Sequence, residues 1–268
     1  MTMSQFHACT FALAVAMVLP GCADDGEGTL EVRVWGEEFI EEGIPSDVFV
    51  DGWALSFEHY LVALDTIATD DADDGGRYVF DLTAPTGGSG HAVTSLVVPQ
   101  GRPLLGFRIA PGGAPDGGNV SEADAQRLTD GGFGLWVEGT ATKGDATIGF
   151  AWGFDSETTY HDCEVVAAVP ADGSANATIT IHADHIFYDD LESTTPNTAF
   201  DLIAASDADG DGVVTPDELR ARDIRPEARY QVGSQDIDNL WDYMNALSRT
   251  VGHIDGEGEC KNSSAGGT

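Results

Sequence analysis

The chain has 268 residues, and its 12 lysine and arginine residues stand against 46 aspartate and glutamate residues, which gives a formal net charge of −34 at pH 7. Such a charge excludes a nucleic-acid-binding protein that works by neutralising phosphates, and it leaves no basic patch for an anionic membrane surface. Cations are therefore the expected ligands. The composition, 42% hydrophobic with 33 glycines and 11 prolines, predicts a folded core with many turns and favours a mainly β architecture.

Residues 1–21 indicate a secretory signal, because they contain no Asp, Glu, Lys or Arg and include a short apolar run at residues 11–19. The run ends in Leu19-Pro20-Gly21-Cys22, which resembles the lipobox of bacterial lipoproteins. The resemblance implies that Cys22 becomes the first mature residue and carries a lipid. Such an anchor would place the protein in the cell envelope, on its periplasmic or outer-surface side. An ordinary cleaved signal peptide is the alternative.

Four cysteines are present, of which Cys9 lies in the predicted signal and Cys22 is assigned to the lipid. Cys163 and Cys260 remain for an oxidising compartment, so we expect one disulfide between them. Two unpaired thiols are the alternative.

An acidic tether at residues 22–28 precedes a predicted β domain at residues 29–190. Apolar and charged residues alternate in its first strand, residues 29–35, as in a half-buried strand. Further strands are predicted at residues 53–64, 78–82, 92–98, 104–109, 133–137, 146–152, 163–169 and 177–182. Short strands separated by Gly, Pro, Asp and Asn clusters predict a β-sandwich or jelly-roll-like domain. A short helix at residues 122–128, capped by Ser121, interrupts it.

Helical patterns replace the strand pattern in residues 191–253. Thr195 and Pro196 predict a helix start, since Thr is a good N-cap and Pro suits the first helical position. Residues 236–251 carry apolar side chains at spacings of three and four, which predicts an amphipathic helix packed on the β domain. Residues 254–268 are expected to form a loose tail.

The motif with the clearest chemistry is DADGDGVVTPDE at residues 207–218. It resembles the twelve-residue calcium loop of the EF-hand family. Ca²⁺ is a hard cation that takes six to eight oxygen ligands, and the alternating carboxylates and Gly212 suit such a site. The resemblance implies ligands from Asp207, Asp209, Asp211, the Val213 carbonyl, Thr215 and Glu218. An acidic, glycine-rich surface turn is the alternative.

No second intact loop accompanies the first. The nearest candidate begins with residues 255–259, but Cys260 follows them where the motif needs glycine, and no acid stands at the last position of the motif. We therefore interpret residues 255–259 as an acidic tail. A lone EF-hand is expected to bind Ca²⁺ weakly, with a dissociation constant of about 10⁻⁴ to 10⁻³ M, as a structural ion. The predicted fold class is thus mainly β with an α segment (α+β): a β-sandwich-like domain, a single EF-hand and a C-terminal amphipathic helix.

His182 and His185 form a second candidate site, which would make the protein a transition-metal (Cu, Zn or Fe) binding or delivery protein. On a helix this spacing puts both imidazoles on one face, whereas on a strand they point to opposite sides. Structural histidines are the alternative. Glutamates of residues 37–42, expected as a solvated helical turn, would complete a mixed site if they lie nearby. The possible third imidazole ligands are His59, His161 and His253.

No catalytic motif is present: the sequence has no Gly-x-Ser-x-Gly elbow, phosphate loop or His-Glu-x-x-His. We therefore expect a binding protein rather than an enzyme. A hydrolase with paired carboxylates on the β domain is the less favoured alternative.

Overall fold

A computed structural model describes residues 26–264, so the predicted signal, Cys9, Cys22 and residues 265–268 lie outside the described part. Strands account for 42% of the structure and helices for 16%, which confirms the predicted mainly β, α+β class. None of the helices within residues 26–264 combines the length and the apolar character needed to cross a bilayer.

The chain order of the elements places most strands before most helices. The strands are β1 (Glu27–Trp35), β2 (Ala54–Ala68), β3 (Arg77–Asp81), β4 (His91–Pro99), β5 (Leu104–Ile109), β6 (Gly117–Gly118), β7 (Leu135–Lys143), β8 (Ala146–Phe154), β9 (Thr158–Glu164), β10 (Ser174–Ile181), β11 (Val213–Val214), β12 (Gly252–Ile254) and β13 (Lys261–Ser264). The helices are α1 (Glu37–Glu41), α2 (Glu122–Gly131), α3 (Asp201–Ala204), α4 (Pro216–Ala221) and α5 (Leu240–Leu247), with a 3-10 helix at Asp184–Phe187.

The strands form two sheets. The smaller has the order β12-β10-β1-β4, and the larger has the order β11-β8-β7-β2-β5-β9-β13, with β3 paired to both β2 and β6. The pairs β1–β10, β8–β11 and β3–β6 are parallel. These parallel pairs distinguish the fold from an all-antiparallel jelly roll.

One hydrophobic core lies between the two sheets. Leu30 and Val34 of β1, in the smaller sheet, belong to the same buried cluster as Tyr60 and Val62 of β2, in the larger sheet. Alternate residues of β1 are buried, as the sequence pattern predicted.

The later part of the chain is built into both sheets. Strand β11 extends the larger sheet beside β8, and β12 extends the smaller sheet beside β10. Strand β13, within the segment expected to be a loose tail, pairs with β9. Next to this pair the sulfur atoms of Cys163 and Cys260 are 2.05 Å apart, as in a disulfide. The structure therefore has a candidate disulfide at the predicted pair of cysteines.

Several element boundaries differ from the sequence prediction. The strand predicted at residues 163–169 is instead β9, which ends at Glu164. The long amphipathic helix begins at Leu240, because Asn239 accepts a hydrogen bond from the backbone N–H of Asp242 at 2.9 Å and caps it there.

The prediction that a helix starts at Thr195 and Pro196 is wrong, since α3 begins only at Asp201. The backbone N–H of Asn197 instead donates to Asp189 Oδ1 at 2.9 Å, and Thr198 forms β-bridges to Phe49 and Tyr188. Tertiary pairing therefore holds this segment extended despite its good local helix-start signal.

Candidate metal centres

The predicted calcium loop, residues 207–218, connects the short helices α3 and α4 at the surface. Two of its glycines, Gly210 and Gly212, have φ angles of +74° and +85°. These left-handed conformations are readily available only to glycine, so they account for the sharp turn of the loop.

Three loop carboxylates are brought together. Asp207, Asp209 and Asp211 each offer an oxygen, and these oxygens all lie within 4.8 Å of one another. Asp207 is held in place because its two oxygens accept hydrogen bonds from the backbone N–H groups of Gly210 and Gly212, at 2.9 and 3.0 Å. The loop backbone thus orients carboxylates at the spacing that suits a hard cation.

Glu218 closes the loop. Its Oε2 accepts hydrogen bonds from the backbone N–H and the hydroxyl of Thr215, both at 2.8 Å. The first of these and the hydrogen bond of 3.4 Å from the Glu218 backbone N–H to the Thr215 hydroxyl oxygen form a capping box for α4. Its Oε1 accepts one from the backbone N–H of Ala208, also at 2.8 Å, at the other end of the loop. These hydrogen bonds, led by the one from the Thr215 backbone, hold the pKa of Glu218 below its ordinary value of 4.5. Glu218 is therefore ionised at neutral pH.

The negative charge of the loop is not balanced by nearby basic side chains. Arg220 is the basic side chain beside it, and Arg220 Nη1 pairs with Asp217 Oδ1 at 2.8 Å, outside the predicted ligand set. Across residues 26–264, no Lys, Arg or His nitrogen lies within 4.0 Å of a carboxylate oxygen of the four predicted acidic ligands, Asp207, Asp209, Asp211 and Glu218. Like charges at this separation repel one another, which favours a bound cation.

The loop is anchored to the core through Val214, which is 0% exposed. Val213 and Val214 form β11, which pairs in parallel with Gly149 and Phe150 of β8. The indole Nε1 of Trp152 donates to the Val214 carbonyl at 2.8 Å. The middle of the loop is thus attached to the edge of the larger sheet.

The segment 255–259 plays a different part. Asp255 accepts hydrogen bonds from the backbone N–H groups of Thr178 and Val166, at 2.8 and 3.0 Å, and so fastens the turn after β12 to the smaller sheet. Its carboxylate therefore makes a structural contact.

Three histidines converge at the edge of the smaller sheet. His182 follows β10, His185 lies in the 3-10 helix and His253 lies in β12. One nitrogen from each lies within 4.8 Å of the other two, and the ring centroids are 4.5 to 5.2 Å apart. Because the chain turns directly after His182 into the 3-10 helix, the two imidazoles predicted as ligands do approach each other.

The structure selects His253 among the three possible third ligands. His59 Nδ1 lies 2.7 Å from Asp81 Oδ2, and His161 Nδ1 lies 3.4 Å from Asp162 Oδ2. His59 and His161 thus have their own carboxylate partners and are not part of the cluster.

Glu37 brings a carboxylate to the histidine cluster. Its Oε2 lies 3.8 Å from His182 Nε2, although Glu37 belongs to α1, far away in the sequence. Its φ angle is +54°, a conformation that costs about 1–3 kcal/mol for a residue other than glycine and that clusters at functional sites. Burial is the main cause that raises the pKa of this carboxyl, and the charge of Glu257 adds to it.

Burial favours the neutral form of two histidines of the cluster, His185 and His253. Burial lowers the pKa of His185 to about 3, with further contributions from His253 and His182. Burial likewise lowers the pKa of His253. Neutral imidazole is the form that coordinates metal ions. The sequence pattern did not single out two neighbours of the cluster, Asp184 and Thr250; the only signal for Asp184 is its position between the two predicted histidines.

A cleft beside α5 contains two carboxylates, Asp155 and Asp242, next to Trp241. Trp241 is only 5% exposed: its ring stacks on Phe154 at a centroid distance of 5.1 Å, and the guanidinium of Arg220 lies 5.0 Å from its centroid. Trp241 therefore does not offer an open aromatic platform of the kind that a carbohydrate-active hydrolase uses.

Comparison of the chain with protein-family models, with curated proteins and with solved structures finds no match.

Proposed function

We propose that the protein binds one Ca²⁺ in the loop at residues 207–218 and that the ion has a structural role. The observation that carries the proposal is the gathering of three aspartate oxygens within 4.8 Å of one another, in a loop whose spacing resembles that of an EF-hand. The proposed ligands are Asp207, Asp209, Asp211, the Val213 carbonyl, Thr215 and Glu218.

A structural role is supported by the way the loop is attached. Val214 and Leu219 are both 0% exposed, so the loop and the helix after it are packed on the core. A calcium sensor instead opens its helices to expose a Met-rich groove, and α3 has only four residues. Binding would therefore order the loop and stabilise the whole domain.

The expected stabilisation follows from mass action. With a dissociation constant of about 10⁻⁴ to 10⁻³ M, Ca²⁺ at about 10 mM stabilises the fold by roughly 1.4 to 2.7 kcal/mol. For a domain of this size that raises the melting temperature by roughly 3 to 10 °C.

Thermal unfolding in CaCl₂ and in EDTA tests the proposal. Glu218→Gln is the informative variant, because glutamine also serves in a capping box whereas the bidentate negative charge is lost. We expect it to abolish most of the calcium-dependent increase. Asp217→Asn is the matched control, since Asp217 lies in the same loop outside the ligand set. A wild-type melting temperature that is equal in CaCl₂ and EDTA would refute the proposal.

We further propose that the protein is a cell-envelope lipoprotein anchored through a lipid on Cys22. This proposal is supported by the lipobox resemblance of residues 19–22. Metabolic labelling with a clickable fatty acid tests it: the wild type should be labelled and found with membranes, and Cys22→Ala should lose both properties. Unlabelled wild-type protein would contradict it.

A further inference from the structure

We infer that His182, His185 and His253 bind a divalent transition-metal ion of the zinc and copper type, beside the carboxylate of Glu37. This centre is separate from the calcium loop. Three imidazole nitrogens that lie within 4.8 Å of one another can converge on one ion, as the ligands of a three-histidine zinc site do. Imidazole ligands suit Zn²⁺ and Cu²⁺ and suit the hard Ca²⁺ poorly.

His185 is oriented as a ligand by its second nitrogen. Nδ1 lies 3.1 Å from the hydroxyl oxygen of Thr250, and that hydroxyl donates its own hydrogen to the Leu247 carbonyl at 2.8 Å. The hydroxyl oxygen therefore accepts from Nδ1–H, which leaves the Nε2 lone pair free. Metal-binding histidines are fixed in this way by a hydrogen bond from the other ring nitrogen.

His253 has a buried nitrogen, Nδ1, with no hydrogen-bond partner among the described residues. A buried polar atom without a partner costs about 1–3 kcal/mol. A metal ion held by the cluster would supply the missing partner.

The charge around the histidines also favours a cation. Glu37 and Glu257 approach His182 at 3.8 and 4.0 Å, and Asp184 directly precedes His185 in the chain. Over residues 26–264, no lysine or arginine nitrogen lies within 4.0 Å of a carboxylate of these three acids. A dication would offset the charge of this group of acids, which the protein itself leaves without a basic partner.

The histidines are presented on a rigid framework. Ile181 and Thr180 of β10 pair with Gly252 and His253 of β12, and His182 and Val251 continue that pairing through a backbone hydrogen bond of 2.9 Å. A site whose ligands are fixed before binding pays little ordering cost when the ion arrives.

Zinc titration of the purified, metal-stripped protein tests the inference. We expect one Zn²⁺ per chain in competition with a chromophoric chelator. His185→Asn keeps a group near Nδ1 for the Thr250 contact and removes Nε2, so it should weaken binding by more than about a hundredfold, and Glu37→Gln by about tenfold or more. His161→Asn is the matched control, because it makes the same change at an exposed histidine outside the cluster and should bind as the wild type does.

Absence of stoichiometric Zn²⁺ binding by the wild type, or equal losses in His161→Asn and His185→Asn, would overturn the inference. Circular dichroism establishes whether each variant is folded. X-ray absorption spectroscopy of the zinc-loaded wild type decides the matter without any variant: three imidazole ligands are expected, and a first shell without imidazole would overturn the assignment. Glu218→Gln should retain Zn²⁺ binding, so the outcome is independent of the calcium proposal.

Discussion

The indole Nε1 of Trp152 donates a hydrogen bond of 2.8 Å to the backbone carbonyl of Val214. Both residues are 0% exposed, and Trp152 also stacks on Phe150 with a centroid distance of 4.6 Å. This contact joins the buried part of the surface loop at residues 207–218 to the larger sheet. Loop order and core stability are coupled through it.

Trp152→Phe is expected to destabilise the protein by at least about 1 kcal/mol, because one buried hydrogen bond is lost and the smaller ring fills the site less well. Urea unfolding measures the change. Trp136→Phe is the control: its indole N–H bonds to Glu138 at a half-exposed position, where water replaces the partner. Equal stability of Trp152→Phe and the wild type would contradict the coupling.

Gly212→Ala is expected to destabilise the calcium-free protein by about 1–2 kcal/mol. The φ angle of +85° is the cause, since no atom lies within 4 Å of the added Cβ and no clash contributes. Gly212→Asn should recover part of the loss, because asparagine tolerates left-handed backbone better than alanine. Urea unfolding in EDTA compares the three proteins, and a fully stable Gly212→Ala would show that the loop does not hold this conformation.

Asp65 and Arg108 predict part of the acid sensitivity of the protein. Arg108 Nε and Nη2 donate to the two Asp65 oxygens at 2.7 and 2.8 Å. Burial alone would raise the pKa of Asp65, but the hydrogen bonds from Arg108 and Thr66 and the charges of Arg108 and Arg77 outweigh it and hold the pKa below 3.8.

A carboxyl whose pKa is lower in the folded than in the unfolded state stabilises the fold above the unfolded value, and this contribution is lost as the pH falls through the folded value. The free energy of unfolding should therefore fall more steeply below about pH 4 in the wild type than in Asp65→Asn. Urea unfolding between pH 6 and pH 2 measures both slopes. Parallel curves would show that Asp65 has no lowered pKa.

The pairing of Cys163 with Cys260 predicts a strong dependence on oxidation. The two residues are 97 positions apart, and closing a loop of that length stabilises the fold by about 4–5 kcal/mol in the chain-entropy model. Cys260→Ser should lower the melting temperature accordingly, and mass spectrometry of unreduced peptides should find the two cysteines linked. Free thiols at both positions in the folded protein would contradict the pairing.

The clustering of Asp207, Asp209 and Asp211 could be predicted from the sequence because the three residues are close together in the chain. Within twelve residues, backbone turns alone decide where Asp207, Asp211 and Glu218 point. The histidine cluster could be predicted only in part: the turn after β10 brings His182 and His185 together, whereas His253 arrives through the pairing of β10 with β12. Glu37 is brought close to His182 by the packing of α1, and no local sequence pattern predicts that packing.

Tertiary pairing also explains the errors in the helical region. Thr195 and Pro196 are good helix-start residues, yet the neighbouring Thr198 bridges to two other segments and the chain stays extended. A local preference worth a few tenths of a kcal/mol to about 1 kcal/mol is outweighed by such contacts.

Isothermal titration calorimetry with CaCl₂ at neutral pH tests the central claim most directly. The account predicts one site per chain with a dissociation constant of about 10⁻⁴ to 10⁻³ M in the wild type and in Asp217→Asn. It predicts no saturable binding in the double variant Asp207→Asn/Glu218→Gln. A wild type that gives no binding heat, or a double variant that binds as the wild type does, would contradict it.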